Sequence, residues 1–112
     1  MELSLEALQA YLYEHYGKWG NETGLFMKLV EEMGETAEIL NMRAGRKSED
    51  GSDLQQELGK ELADMIHYIV AIAAINKIDL SKTILEKDKK AAVKYHHARD
   101  LEAFLREYPS DK

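Results

Sequence analysis

The chain has no cysteine and only one proline and one tryptophan in 112 residues. No disulfide, thiolate-bound metal or cysteine nucleophile is therefore open to it. Glycine is limited to seven positions and no low-complexity run is present, which excludes a fibrous or disordered chain. No repeat at a solenoid period is found. Long apolar runs are missing as well. The longest, Met65 to Ile75, is interrupted by His67 and Tyr68 and is too short to cross a bilayer, so no membrane partner is expected. The opening MELSLEALQAYLYEHYG carries acids where a signal peptide would carry bases, which points to a cytoplasmic protein. An excess of positive charge is also absent: 15 Lys and Arg against 21 Asp and Glu give a formal charge of −6. Duplex nucleic acid needs a basic footprint, so no nucleic-acid partner is expected. That balance leaves open the binding of a small anion through metal ions.

What is present fits one domain spanning residues 1–112, with 45% hydrophobic and 32% charged residues. Its core would be small, so oligomerisation would help it. Only helical periods appear. Leu5, Leu8 and Leu12 predict a first helix from about Leu5 to Tyr16, broken at Gly17 and Gly20. Phe26, Leu29, Val30, Met33, Ala37 and Leu40 make an apolar stripe on a second, capped by Asn21 or Thr23 and ended at Ala44-Gly45. After the loop GRKSEDGS, the stretch Ser52-Asp53-Leu54-Gln55 reads as a capping box in which Ser52 would bond the backbone of Gln55. The third helix runs to about Ile75 and stops at Asn76. Asp79-Leu80-Ser81 opens a fourth, continuing with one break near His96 or His97 to Tyr108, before Pro109. The expectation is an all-α bundle of four to five helices with an antiparallel central hairpin.

Within KLVEEMGETAEIL, four glutamates stand within eight positions: Glu31, Glu32, Glu35 and Glu38. Like charges three or four apart destabilise a helix by roughly 0.2 to 0.5 kcal/mol per pair, so a wet face or a compensating cation must explain them. A second set, Glu57, Glu61 and Asp64, follows one line down the third helix. Leu54, Leu58, Glu61, Met65, Tyr68 and Ile72 form a four-three seam in which Glu61 takes a core slot. On the second helix Leu25, Leu29, Glu32 and Thr36 do the same, with Glu35 one turn from Glu32. Nine residues separate Glu35 from Ala44, and nine separate Ser52 from Glu61. An antiparallel hairpin thus brings Glu32 and Glu35 level with Glu61 and Asp64. Gathering four carboxylates on a seam costs several kcal/mol per unpaired ion, and divalent cations can offset it. Oxygen donors alone suit hard ions, Mg²⁺ or Mn²⁺, whose remaining ligands are typically water and phosphate oxygens.

Glu31-Glu32-Met33-Gly34-Glu35, followed after a loop by Glu61-Leu62-Ala63-Asp64, resembles the EExxE and ExxD pair of the MazG-like nucleoside triphosphate pyrophosphohydrolases. The words ELADMIHYIVAIAAINKIDL and a lysine-bearing last helix extend the resemblance from about Phe26 to Tyr95. It implies an all-α bundle assembled as a homodimer or homotetramer, Mg²⁺ dependence, and hydrolysis of a nucleoside triphosphate to a monophosphate and pyrophosphate. By that resemblance Glu32, Glu35, Glu61 and Asp64 are the metal ligands, and Glu31 helps hold or activate water. Glu31 or Glu35 is the candidate proton acceptor.

Phosphate needs cations, and Lys87, Lys90 and Lys94 share one face of the last helix. The resemblance makes Lys87 the best match to a phosphate-binding lysine; beyond it DKKAAVKYHH departs from the asparagine and arginine that relatives often carry. Lys28, one turn before Glu32, also reaches toward phosphate. Trp19, Asn21 and Phe26 precede the acidic helix, where rings and an amide could read a base, although Trp19 serves equally as a packing residue. His67, among Met, Ile and Tyr, reads as a hydrogen-bonded core residue, and His96-His97 as a poor metal motif. Three alternatives share the same pattern: a phosphoribosyl-ATP pyrophosphohydrolase, a dimeric all-α dUTPase, and a noncatalytic helical interaction module whose acids are a solvated face.

Overall fold

The computed structural model describes residues 1–18, 20–45 and 53–109. Five helices make up the described regular structure, with no strand among the described residues: α1 (Leu5–Tyr16), α2 (Glu22–Arg43), α3 (Leu54–Ile75), α4 (Leu80–Lys94) and α5 (Leu101–Glu107). Each begins at a short polar side chain that accepts the otherwise orphaned amide three residues on. Ser4 accepts from Ala7, Asn21 from Gly24, Asp53 from Gln56, Asp79 from Lys82 and Asp100 from Ala103. The cap of α3 is thus Asp53, one residue later than the Ser52 box would have it; Ser52 itself and the loop 46–52 lie outside the described residues. At the other end of α2, Gly45 adopts φ 78°, the left-handed turn that glycine adopts without strain.

α2 and α3 are each 22 residues long, about 33 Å at the helical rise, and lie antiparallel along their lengths. Asn76, just past α3, donates to Glu22 at the start of α2 (2.8 Å), and midway Thr36 Oγ1 meets Met65 Sδ at 3.4 Å. α1 lies across α3, and three buried alanines, Ala71, Ala73 and Ala74, provide the small side chains that allow close approach. The core therefore sits at one end of the hairpin, where Leu12, Leu25, Val70, Ala71 and Ala74 cluster beneath Leu5, Leu8, Tyr16, Ile72 and Ile75.

The apolar stripe expected on α2 is not the buried one. Phe26, Val30, Met33, Ala37 and Leu40 are exposed and only Leu29 of that set is buried, whereas Leu25, Thr36 and Ile39 face inward. The four-three seam, one residue out of phase, is what α3 covers. α2 is apolar on two faces, and α1 and α3 between them cover one. On α3, Ile72 and Ile75 pack on the chain's own core, whereas Ile69 is exposed.

α4 is anchored through the turn before it. Gln9 of α1 donates from Nε2 to the carbonyl of Ile78 (2.7 Å) and accepts from the amide of Leu80 (3.0 Å). Leu101 donates its amide to Asp88 (2.6 Å), tying α5 to α4. Gln9→Ala strands both backbone groups and is expected to lower stability by about 1 kcal/mol. Urea unfolding followed by circular dichroism measures the loss, and faster amide exchange at Leu80 locates it.

Candidate functional site

Halfway along the hairpin the two seams deliver carboxylates where neighbours deliver leucines. Glu32 occupies the slot between Leu29 and Thr36, and Glu61 that between Leu58 and Met65; both are half-buried. Oxygens of Glu32, Glu61 and Asp64 lie within 4.8 Å of one another. The turn carrying Glu32 is fixed by Thr36, whose hydroxyl donates to the Glu32 carbonyl at 2.7 Å. Asp64, one turn beyond Glu61, is exposed at the mouth of the group.

Glu61 is the centre of this arrangement. Its Oε2 is buried and has no hydrogen-bond partner. A hydrogen bond to the Glu32 carboxylate, burial and a further hydrogen bond to Glu35 together push its pKa from 4.5 up to about 7, with the negative charges of Glu32 and Glu35 adding to the effect. An acid so placed requires a proton or a cation. Three carboxylate oxygens, hard and close, and a buried Glu61 oxygen with no hydrogen-bond partner fit a divalent cation of the Mg²⁺ or Mn²⁺ kind.

Glu35 borders the trio without belonging to it. It is exposed, within hydrogen-bonding reach of Glu61, and lines a neighbouring cleft of about 310 Å³ with Glu38, Glu57 and Lys60. Ile39 and Met42 contribute the apolar lining of that cleft. On the opposite side lie aromatic rings: Tyr68, one turn past Asp64, packs edge-on to His67 (centroids 5.1 Å apart), and His67 Nε2 hydrogen-bonds Tyr16 Oη at 2.8 Å. His67 is therefore the satisfied core histidine expected of it. Burial first, then the proximity of Tyr16 and Glu32, raises the pKa of Tyr68, while Lys28 acts in the opposite sense.

The remaining sequence candidates fall in different places. Glu31 is exposed and pairs with Lys28 at 3.7 Å, on the solvent side of α2. Asn21 caps α2, so its carbonyl oxygen is committed to Gly24. Trp19 lies outside the described residues. Lys87, Lys90 and Lys94 are exposed on α4, a helix that packs on α1 and α5 rather than on α2, so the chain does not gather them with the acids. Lys94 instead lies over the Tyr95 ring, 5.3 Å from its centroid. His96 and His97 are exposed beyond the end of α4. The residue that spacing could have revealed is Lys60, which lies three after Glu57 and four before Asp64 on the same line of α3.

Residues 21–98 match the family model of the MazG nucleotide pyrophosphohydrolase domain, more than half of the chain. The chain belongs to that family. Its members are metal-dependent nucleotide pyrophosphohydrolases, and the acidic trio lies within the matched residues. No curated protein and no solved structure matches the chain.

The Glu61 shift fixes the sign of a pH dependence. The folded protein keeps a proton on Glu61 up to about pH 7, whereas the unfolded chain releases it near 4.5. With a chelator present, this group's stabilising contribution is complete below pH 4.5 and is lost as pH rises to about 7. Glu61→Gln should flatten that part of the curve of melting temperature against pH. A wild-type melting temperature that climbs across the window as steeply as in the variant would contradict the shift.

Proposed function

We propose that this MazG-family chain hydrolyses nucleoside triphosphates, ribo or deoxy, between the α and β phosphates in a Mg²⁺-dependent reaction. The observation that carries the reading is the convergence of Glu32, Glu61 and Asp64, together with a buried oxygen of Glu61 that has no hydrogen-bond partner. Glu35, one turn along α2, completes the proposed ligand set. A cation held there neutralises the phosphate oxygens and acidifies water.

The rest falls to side chains. A water oxygen bonds to the α-phosphorus as the bond from that phosphorus to the α–β bridging oxygen breaks, and pyrophosphate leaves with the electron pair. The proton lost by water passes to a carboxylate, Glu31 or Glu35, both exposed and able to return it to solvent. Neither a serine nor a cysteine is required. The Tyr68 side, with Asn21 at the start of α2, is assigned to the nucleoside, and Lys28 to phosphate; Trp19, the other residue expected to read the base, lies outside the described residues. Single-copy geometry gives Lys87, Lys90 and Lys94 no role at the same site unless another copy brings them there. Nucleoside triphosphates as substrates fit a cytoplasmic setting, and no helix of the described residues is long and apolar enough to cross a membrane.

The working unit is proposed to be a homodimer or homotetramer. The Cα radius of gyration, 17.2 Å, exceeds the roughly 13 Å of a compact fold of about 100 residues. Phe26, Val30 and Met33 of α2 and Leu62, Ile66 and Ile69 of α3 are exposed at 41 to 51%, as faces awaiting cover are. Multi-angle light scattering should return a multiple of 12.8 kDa; a monomer would overturn this assembly.

The protein incubated with each nucleoside triphosphate, with and without Mg²⁺, should release monophosphate and pyrophosphate on anion-exchange chromatography only when metal is present. Glu35→Gln and Asp64→Asn should each lower turnover by at least about a hundredfold, in line with loss of a metal ligand or general base. Their metal-free melting temperatures should be unchanged or higher. Full activity in Glu35→Gln would defeat the mechanism, and turnover of phosphoribosyl-ATP alone would replace the substrate class.

A further inference from the structure

The cleft beside the acidic trio has a feature that the metal reading does not use. It is lined by Glu35 and Glu61, which it shares with the site, and beyond them by Lys60, the one cation among its lining residues. Lys60 is exposed and takes part in no ion pair or hydrogen bond with the described residues, although acids line the cleft around it. On α3 it stands one turn from Asp64 in one direction and one turn from Glu57 in the other. The cleft volume, about 310 Å³, is at the small end of the roughly 300 to 1,000 Å³ of ligand pockets, enough for a small anion rather than a whole nucleotide.

The two sides of the trio differ in chemistry. Toward the start of α2 stand the rings of Tyr16, His67 and Tyr68, packed edge to face. Aromatic faces and edges suit a nucleoside. Toward the end of α2 the cleft lining holds no ring, only carboxylates, Lys60, Ile39 and Met42. Of the other described cations, Arg43 ends α2 one residue past Met42 but is not among the cleft's lining residues, Lys28 is engaged by Glu31 at 3.7 Å, and the α4 lysines belong to a helix packed on α1 and α5.

We propose that Lys60 is the binding residue for the leaving pyrophosphate, so that a substrate lies along the hairpin with its nucleoside toward Tyr68 and its β and γ phosphates in the Lys60 cleft. The assignment rests on the nucleotide-hydrolysis reading for its biological sense, but its geometry is tested by binding alone. Lys60 gives the departing diphosphate a cationic partner on the side away from the nucleoside. It offsets the repulsion between that anion and Glu35, Glu38 and Glu57, which Mg²⁺ alone would otherwise have to overcome.

The test is calorimetric titration of the wild-type protein, Lys60→Ala and Lys60→Arg with Mg²⁺-pyrophosphate, and separately with each deoxynucleoside monophosphate in Mg²⁺. Lys60→Ala is expected to weaken pyrophosphate binding roughly tenfold, the scale of one charge-assisted hydrogen bond, with Lys60→Arg recovering most of it. Binding of the monophosphate that the wild-type protein prefers should stay unchanged. Equal melting temperatures for the three proteins would exclude a folding defect, which an exposed position makes improbable. The assignment is overturned by unaltered pyrophosphate affinity in Lys60→Ala, by equal loss for both ligands, or by a wild-type protein that binds no pyrophosphate. A wild-type protein that binds pyrophosphate through Lys60 yet hydrolyses no triphosphate would defeat the proposed activity and leave this subsite standing. Turnover with Lys60-independent pyrophosphate binding would do the reverse.

Discussion

The contact between α2 and α3 is the constraint on which the rest depends, because a single seam serves both folding and charge. Leu25, Leu29, Thr36 and Ile39 are the buried residues of α2, and Leu54, Leu58, Met65 and Tyr68 are buried or half-buried on the α3 that packs against it, with Thr36 meeting Met65. Into that row the sequence sets Glu32 and Glu61, so the packing that lowers the free energy of the hairpin also forces two carboxylates together. Neither can move away without opening the seam. This is how a fold of modest size holds charged groups at separations that mobile surface side chains would avoid.

The arrangement sets two carboxylates in the middle of the hairpin, where apolar side chains would otherwise pack. The core is concentrated at one end, under α1, where Leu12 and Val70 are almost fully buried. α1 thus acts as a clamp on the end remote from the loop, and Gln9 extends that clamp to the turn before α4. Rigidity comes from the apolar end, and the acids are positioned by it at a distance. A site placed in the apolar cluster itself would have cost the core, and a site at the loop would have lacked the support of α1.

Electrostatics and packing also divide the chain. The acids of α2 and α3 gather on one hairpin, while α4 carries Lys82, Lys87, Lys89, Lys90 and Lys94 and packs elsewhere. Negative charge is concentrated where cations are to be held, and most of the positive charge is kept away from it, so an internal lysine does not neutralise the site in place of a metal. Among the described residues Lys28, Arg43 and Lys60 are the exceptions on the hairpin helices, Lys28 on one flank of the acids and Lys60 and Arg43 on the other.

Helix limits and caps were legible in the residues because they are local: Leu5–Tyr16 follows from leucine spacing and the glycines after it, and Asp79 and Asn21 cap where short polar side chains precede apolar periods. The pairing of Glu32 with Glu61 was legible too, since equal arm lengths about one loop fix the level at which an antiparallel hairpin meets. The sequence by itself determined the helices, the acidic seam and the family-like motif order. It could not decide which of the two apolar faces of α2 would be buried, since Phe26, Val30 and Met33 repeat as regularly as Leu25, Leu29 and Ile39, and only contact with α3 selects between them. It could not place α4, because a shared lysine face says nothing of which helix it meets. The tertiary structure decided those, along with the place of Glu35 at the border of the trio and the cleft at Lys60. Each depends on distances between elements remote in the chain, which no local period encodes.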